Sequence, residues 1–338
     1  MYYSLQAYRG IAALLVVLFH LGGTIASDKY FNIEYFSVPF SFGHYGVQLF
    51  FVLSGFLIFK IHKKDFSKPD RLSTYYRKRI IRIYPVFIII FFLVYLVAYF
   101  SSLRDTLPLD IVTILKTILL LPQIQPPVIT VAWTLQYEVL FYTIFSLFIL
   151  NRYSVYFVVA IFIYVGLVYT NTSNNIYIDM LQNVNIYLFI FGMITAFMSD
   201  RYYSYVRLFM MGGGILTVFL IIDSWINHNL TDYKIILAGL ASSLLVYAGV
   251  IKERSGFSFK KYKFIVLTGD ASYSLYLLHT VVISALLKIF TMLGIIKLGI
   301  IGALFSFILI LFFCIFVAIV FHKIIEKPLL KYLHKRLL

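Results

Sequence analysis

Ten apolar runs, each about the length needed to cross a bilayer, leave this chain few ways to fold. They fall at about 5–23, 43–59, 83–103, 131–150, 154–170, 184–198, 206–226, 234–251, 268–290 and 298–322. A hydrocarbon core offers no water to backbone groups, and a helix satisfies them within one segment. The expected fold class is therefore all-α: a polytopic membrane helical bundle of about ten transmembrane helices. Composition agrees, with 62% of residues hydrophobic and 13% charged and a mean hydropathy of +0.91. No Ser/Gly-rich linker interrupts the sequence, so residues 1–338 read as one integral-membrane domain. The first run has no basic residue ahead of it and no small-residue cleavage site behind it. It reads as a retained helix.

The loops alternate in basic content. Residues 60–82 hold nine Lys/Arg, residues 252–263 hold five and residues 323–336 hold five. Arg152, Arg201 and Arg207 belong to the same set of loops, and only six Lys/Arg fall in the opposite set. The positive-inside rule then places both termini and the basic loops in the cytoplasm, as a multi-pass protein. The net charge of +15 is accounted for by topology and inner-leaflet lipid, and a nucleic-acid partner is not required. Cys314 is the single cysteine, which excludes an internal disulfide. In the long outer loop, residues 111–121 read as a helix lying at the interface, followed by Pro122, Pro126 and Pro127. Asn171-Thr172-Ser173 and Asn229-Leu230-Thr231 match glycosylation acceptors in outer loops. Inverted repeats of the transporter type are not visible.

Several runs carry polar residues where lipid would exclude them. Arg9 and His20 lie on one face of the first span, within about 20° of each other and about 16 Å apart along the axis. Each costs at least a few kcal/mol if it faces lipid. Snorkelling and a satisfied core histidine would also account for them. Gln48 and Ser54 interrupt the second span among glycines, a pattern that also suits plain helix packing. Arg79 and Arg82 share a helix face at the entry to the third span, and an arginine fork there suits phosphate recognition better than simple anchoring. Arg77 and Lys78 fit the anchoring role.

The fourth span carries Trp133, Glu138 and Tyr142, the last two one turn apart. A carboxylate inside a membrane must be paired or protonated. Topology puts Glu138 and His20 both in the outer half, so the expected pairing is a carboxylate that orients an imidazole. Ser272, Tyr276 and His279 fall on one face of the ninth span. Glu326-Lys327-Pro328 reads as a helix end with an interfacial ion pair. No metal-binding set is evident.

Taken in order, these motifs resemble the acyltransferase-3 family of bacterial inner-membrane O-acyltransferases, which includes the O-antigen acetyltransferases. The residues that carry the resemblance are Arg9…His20, Phe50-Phe51-x-Leu53-Ser54-Gly55-Phe56, Arg79-x-x-Arg82-Ile83-x-Pro85, Trp133-x-Leu135-x-x-Glu138-x-x-Phe141-Tyr142, Ser272-Tyr273-x-x-Tyr276-Leu277-x-His279 and Glu326-x-Pro328. The resemblance implies acetyl-CoA as donor and a hydroxyl of a surface-polysaccharide or lipid-linked sugar as acceptor. It also implies that Arg9, His20, Arg79, Arg82, Glu138 and Tyr142 hold the family's functional positions. The chain is similar to the stand-alone type, without the SGNH hydrolase-like domain of some relatives.

With that topology, the arginines would take the donor phosphates and Tyr276 would line the path of the pantetheine arm. His20, oriented by Glu138 and aided by Tyr142, would act as base or acyl carrier. Trp133, Gln48 and His279 would contact the sugar. Two rivals arise from the same residues. One is a proton-coupled transporter or flippase using Arg9, His20 and Glu138 as a relay, and the other is a structural partner in a glycan-synthesis assembly.

Overall fold

The apolar runs form helices, and among the described residues all regular structure is helical. The computed structural model describes residues 2–99, 110–123, 127–167, 175–201, 205–227 and 229–337. In chain order the helices are α1 (Tyr3–Ala26), α2 (Gly46–His62), α3 (Leu72–Tyr99), α4 (Ile111–Ile118), α5 (Trp133–Leu150), α6 (Ser154–Leu167) and α7 (Ile176–Gln182). They continue with α8 (Asn185–Arg201), α9 (Val206–Ile226), α10 (Asp232–Arg254), α11 (Lys263–Asp270), α12 (Ser272–Met292), α13 (Gly299–Phe321) and α14 (Lys327–Leu337). A 3₁₀ segment, Val38–Tyr45, leads directly into α2.

Eight stretches of the described residues are long and apolar enough to cross a membrane. The number is nine if α7 and α8, bent by 45° at their junction, form one span. The chain is therefore a multi-pass membrane protein, as the apolar runs suggested. Of the run at 154–170, the described part is α6, 14 residues or about 21 Å of helix, and residues 168–170 lie outside the described residues. The Asn171-Thr172-Ser173 triplet and Pro126 lie outside the described residues. The segment expected to lie at the interface is helical as α4, where the Asp110 carboxylate caps the Thr113 amide at 2.7 Å. That hydrogen bond holds the Asp110 carboxyl below its usual range.

α1 and α2 are central. α1 packs on α2, α11 and α12, whereas α2 packs on α1, α8, α10 and α5. Glycines set the closest approach. A Cβ on Gly55 would collide with the Phe189 carbonyl of α8, and one on Gly192 would collide with the Val52 carbonyl of α2. Gly43 and Gly46 press in the same way on the Leu15 and Ala12 carbonyls, seating the Val38–Tyr45 segment and α2 on α1. Aliphatic and aromatic residues of α3, α9 and α13 face outward, among them Leu96, Ile215 and Ile308, as a lipid-solvated surface demands.

The last span departs from the sequence reading. The helix does not stop at Lys327-Pro328. A π-helical turn, His322–Glu326, comes after α13, and α14 continues with Pro328 in its first turn, where a proline costs little. The wider turn carries the Glu326 side chain inward, where it is fully buried.

Candidate functional site

Helices α1, α2, α3, α5, α12 and α14 enclose a cavity of about 390 Å³. Arg9, Lys78, Arg79 and Arg82 line it, and Glu138 is the one carboxylate among the described lining residues. The i, i+3 spacing turns Arg79 and Arg82 to the same side. The Arg79 guanidinium lies over the Tyr142 ring at 5.6 Å, and its Nε is buried without a hydrogen-bond partner among the described residues. Arg82 lies over the Tyr273 ring at 5.7 Å and 3.9 Å from the Glu326 carboxylate. Glu326 is itself held by Ser274 Oγ at 2.6 Å and His322 Nδ1 at 3.0 Å. Arg9 Nη1 donates to Gln6 Oε1, at 3.3 Å. Arg77, by contrast, is exposed and does not line the cavity. The result is a partly apolar pocket with surplus positive charge, suited to a ligand with an anionic head and an uncharged arm.

Glu138 accepts a hydrogen bond from Ser54 Oγ at 3.1 Å and another, on the same oxygen, from the Tyr142 hydroxyl. The carboxylate is thereby fixed between α2 and α5.

A second cavity, of about 280 Å³, lies towards the other end of the bundle. His20, Gln48 and Trp133 line it, with His44, Tyr45, Asn185 and Asn227 among the others. The tautomer of His20 is set by its contacts. Nδ1 lies 2.9 Å from the Val16 carbonyl, which can only accept, so Nδ1 carries the proton and Nε2 keeps its lone pair. His279 is fully buried and is set the same way by the Tyr276 carbonyl at 2.8 Å. Its Nε2 is then an acceptor, 3.3 Å from His20 Nδ1.

The expected pairing of His20 with Glu138 is not what the structure contains. Glu138 lines the arginine cavity, and its partners are Ser54 and Tyr142. His20 lines the other cavity, and its ring partners are Val16 and His279. The two residues lie at different depths, in cavities towards opposite ends of the bundle, and on different neighbours: α1 packs on α2 and α12, while α5 packs on α2 and α3. The structure does bring Arg9, Arg79, Arg82, Glu138, Tyr142 and Tyr276 to one cavity, and His20, Gln48 and Trp133 to the other. His279 does not line the second cavity but backs His20. Tyr276 and Val47 line both cavities, and the Tyr276 hydroxyl is tied to Thr134 Oγ1 at 2.9 Å and the Val131 carbonyl at 3.1 Å. One face of α12 thus runs from Ser272 in the first cavity through Tyr276 to His279 behind the second.

Sequence reasoning missed His44 and Tyr45, and it left Glu326 as an interfacial helix end. His44 and Tyr45 carried a signal: two polar aromatic residues between Gly43 and Gly46, at the entry to a span.

A polytopic helical bundle with a polycationic cavity reaching its interior belongs to the membrane enzymes and carriers that handle anionic ligands. The comparison with known proteins narrows this. The family described as "Acyltransferase domain" matches residues 2–323, and the chain belongs to that acyltransferase-3 family. It is an acyltransferase enzyme, which sets aside the flippase and assembly-partner readings. The chain is similar to the exopolysaccharide production protein ExoZ of Rhizobium meliloti, at 26% identity over 86% of this chain and 91% of that protein. It is also similar to an uncharacterized protein of Haemophilus influenzae, at 32% identity over 42% of this chain and 66% of that protein's length. No solved structure shows significant similarity to it.

Proposed function

We propose that the whole chain acts as one O-acyltransferase domain of the bacterial inner membrane, with both termini cytoplasmic. It moves an acetyl group from cytoplasmic acetyl-CoA to a sugar hydroxyl of a surface or lipid-linked polysaccharide such as O-antigen. The observation that carries this reading is the pair of cavities towards opposite ends of the bundle, sharing Val47 and Tyr276. Arg9 and His20 are about 16 Å apart on the one helix that serves both, a span comparable to a pantetheine arm.

On the donor side, Arg79, Arg82 and Arg9 receive the phosphates as charge-assisted hydrogen bonds. Tyr142 and Glu138 position the guanidiniums around the arm as it passes towards Tyr276. On the acceptor side, His20 Nε2 takes the proton of the attacking hydroxyl. The new C–O bond forms at the acetyl carbon, the C–S bond breaks, and the proton passes from His20 to the departing thiolate, giving free CoA thiol. His279 and the Val16 carbonyl hold the imidazole in the required tautomer, the task a carboxylate performs in other acid–base pairs. ExoZ, by its name, serves exopolysaccharide production, which supports a polysaccharide acceptor.

The test is radiolabelled acetyl transfer by the purified protein in nanodiscs from acetyl-CoA to a cell-surface glycan fraction. Label recovered in glycan, with stoichiometric release of CoA thiol, is the expected result. Absence of both acetyl-CoA binding and transfer would overturn the reading.

A further inference from the structure

The second cavity holds a set of unpartnered polar atoms. His44, Tyr45 and Gln48 line it, and His44 Nε2, Tyr45 OH and Gln48 Oε1 are each buried without a hydrogen-bond partner among the described residues. Burying such a group without a partner is costly, so three on the residues of one cavity mark a place where something polar binds. Their chemistry says what. His44 Nδ1 lies 2.5 Å from the Ser41 carbonyl, so Nδ1 carries the proton and Nε2 can only accept. Gln48 Nε2 is turned to Asn185 Oδ1 at 3.5 Å, leaving Oε1, again an acceptor. Only Tyr45 both donates and accepts.

Charge is missing from the same wall. Among the described residues, no Lys, Arg, Asp or Glu lines this cavity. The nearby Lys234 is fully engaged: its Nζ meets Asp223 at 2.5 Å, the Asn227 carbonyl at 3.1 Å and the Asn229 carbonyl at 2.9 Å. That buried ion pair fixes the residues that close the cavity and leaves no spare cation for a carboxylate ligand. Trp133 offers an apolar aromatic face beside it.

We infer that the cavity lined by His44, Tyr45, Gln48 and Trp133 is the acceptor subsite and selects an uncharged, hydroxyl-bearing sugar residue. Resting on the acyltransferase reading above, the new elements are the selection for an uncharged acceptor residue and the parts of His44 and Tyr45 in it. A sugar brings O–H donors to the two lone-pair acceptors and a C–H face to the indole. A carboxylate or phosphate brings acceptors to acceptors and is rejected. The same wall then presents the bound hydroxyl to His20, which lines the cavity with its own lone pair.

The test needs no donor. Full-length protein in nanodiscs is titrated, by saturation-transfer NMR, with p-nitrophenyl glucoside, galactoside and mannoside, and with p-nitrophenyl glucuronide as the charged counterpart. At least one neutral hexoside should bind, and it should bind tenfold or more tightly than the glucuronide. Gln48→Leu and Tyr45→Phe should each weaken that hexoside about tenfold. His44→Gln, which keeps an acceptor oxygen, should weaken it less than His44→Leu. Acetyl-CoA affinity is measured in parallel on every variant and should not change, because the donor cavity is separate. Equal or tighter glucuronide binding overturns the inference. So does unaltered hexoside affinity in both Gln48→Leu and Tyr45→Phe, or no hexoside binding to protein that still binds acetyl-CoA. Hexoside binding by protein that neither binds acetyl-CoA nor transfers acetyl would instead leave the subsite standing and remove the acyltransfer reading.

Discussion

His279 Nε2 lies 3.3 Å from His20 Nδ1, on a helix 259 residues away in sequence. The contact joins a fully buried imidazole to one that lines a cavity, and the carbonyls of Val16 and Tyr276 fix both tautomers. His20→Ala should therefore abolish acetyl transfer while acetyl-CoA binding, in the other cavity, stays within about twofold. His279→Ala removes only a positioning contact, so turnover should fall by about tenfold to a hundredfold with the acceptor KM little changed. His279→Gln, which restores an acceptor, should recover part of it. Single-turnover transfer with separate donor binding measures both. Wild-type turnover in His20→Ala would sink its assignment as base.

Glu138 bears a different expectation now that it is known to face the arginines. Among the described residues it is the lone carboxylate lining the polycationic cavity. Glu138→Gln removes one negative charge, so a polyanionic donor should bind more tightly, by about threefold to tenfold at low salt. Turnover should fall nonetheless, since the fixed geometry from Ser54 and Tyr142 is weakened. Calorimetry with acetyl-CoA at two ionic strengths checks this. Donor affinity that is unaltered or weaker would place Glu138 outside the donor field.

The α2–α8 contact should fail sharply when its glycines are filled. Gly55→Leu drives a side chain into the Phe189 carbonyl, and a backbone cannot step aside as a side chain can. The cost should be about 3 kcal/mol or more, the upper end for overpacking, seen as lost monodisperse yield and a lower Tm in detergent. Gly214→Ala is the control. Its Cβ would meet nothing within 4 Å, and alanine in a helix interior gains about 1 kcal/mol over glycine.

The sequence made the helices legible because apolar length alone decides them in a bilayer. It also delivered the two ends of the site, since Arg9 and His20 are placed by arithmetic on a single helix. Which helix faces which was not legible. Depth along the normal can be counted residue by residue, but lateral order is set by contacts such as Gly55 against Phe189, between segments 134 residues apart. For Glu138 the counted depth failed as well: it lines the arginine cavity, whereas His20 lines the cavity towards the other end. Glu326 was hidden for another reason: a π turn rotates every residue beyond it about the helix axis, and no pattern in His322–Glu326 announces one.

Orientation across the membrane rests on charge and can be tested directly. Ser67 and Glu34 are both exposed and lie towards opposite ends of the bundle. Cys314 is buried and can remain. A membrane-impermeant thiol reagent on intact cells should label Glu34→Cys, while Ser67→Cys should react only after permeabilisation. The reverse pattern would put the arginine cavity outside and remove acetyl-CoA as its ligand.

Arg82 separates phosphate recognition from anchoring. An anchor needs only positive charge, so lysine should serve as well. A cavity that grips phosphate needs a planar, multidentate donor, and Arg82 is built as one: its guanidinium is stacked over Tyr273 and lies near buried Glu326. Lysine cannot reproduce the stacking or the fork. Charge-assisted hydrogen bonds contribute about 1.5–3 kcal/mol each, so losing one should weaken acetyl-CoA binding about tenfold or more. Arg82→Lys should show that loss at normal expression, and Glu326→Gln should show a smaller one, because it loosens the guanidinium without removing it. Arg77→Lys, at an exposed position outside the cavity, should be nearly silent. Equal acetyl-CoA affinity in wild type and Arg82→Lys, measured by calorimetry in nanodiscs, would return the cluster to a positive-inside anchor.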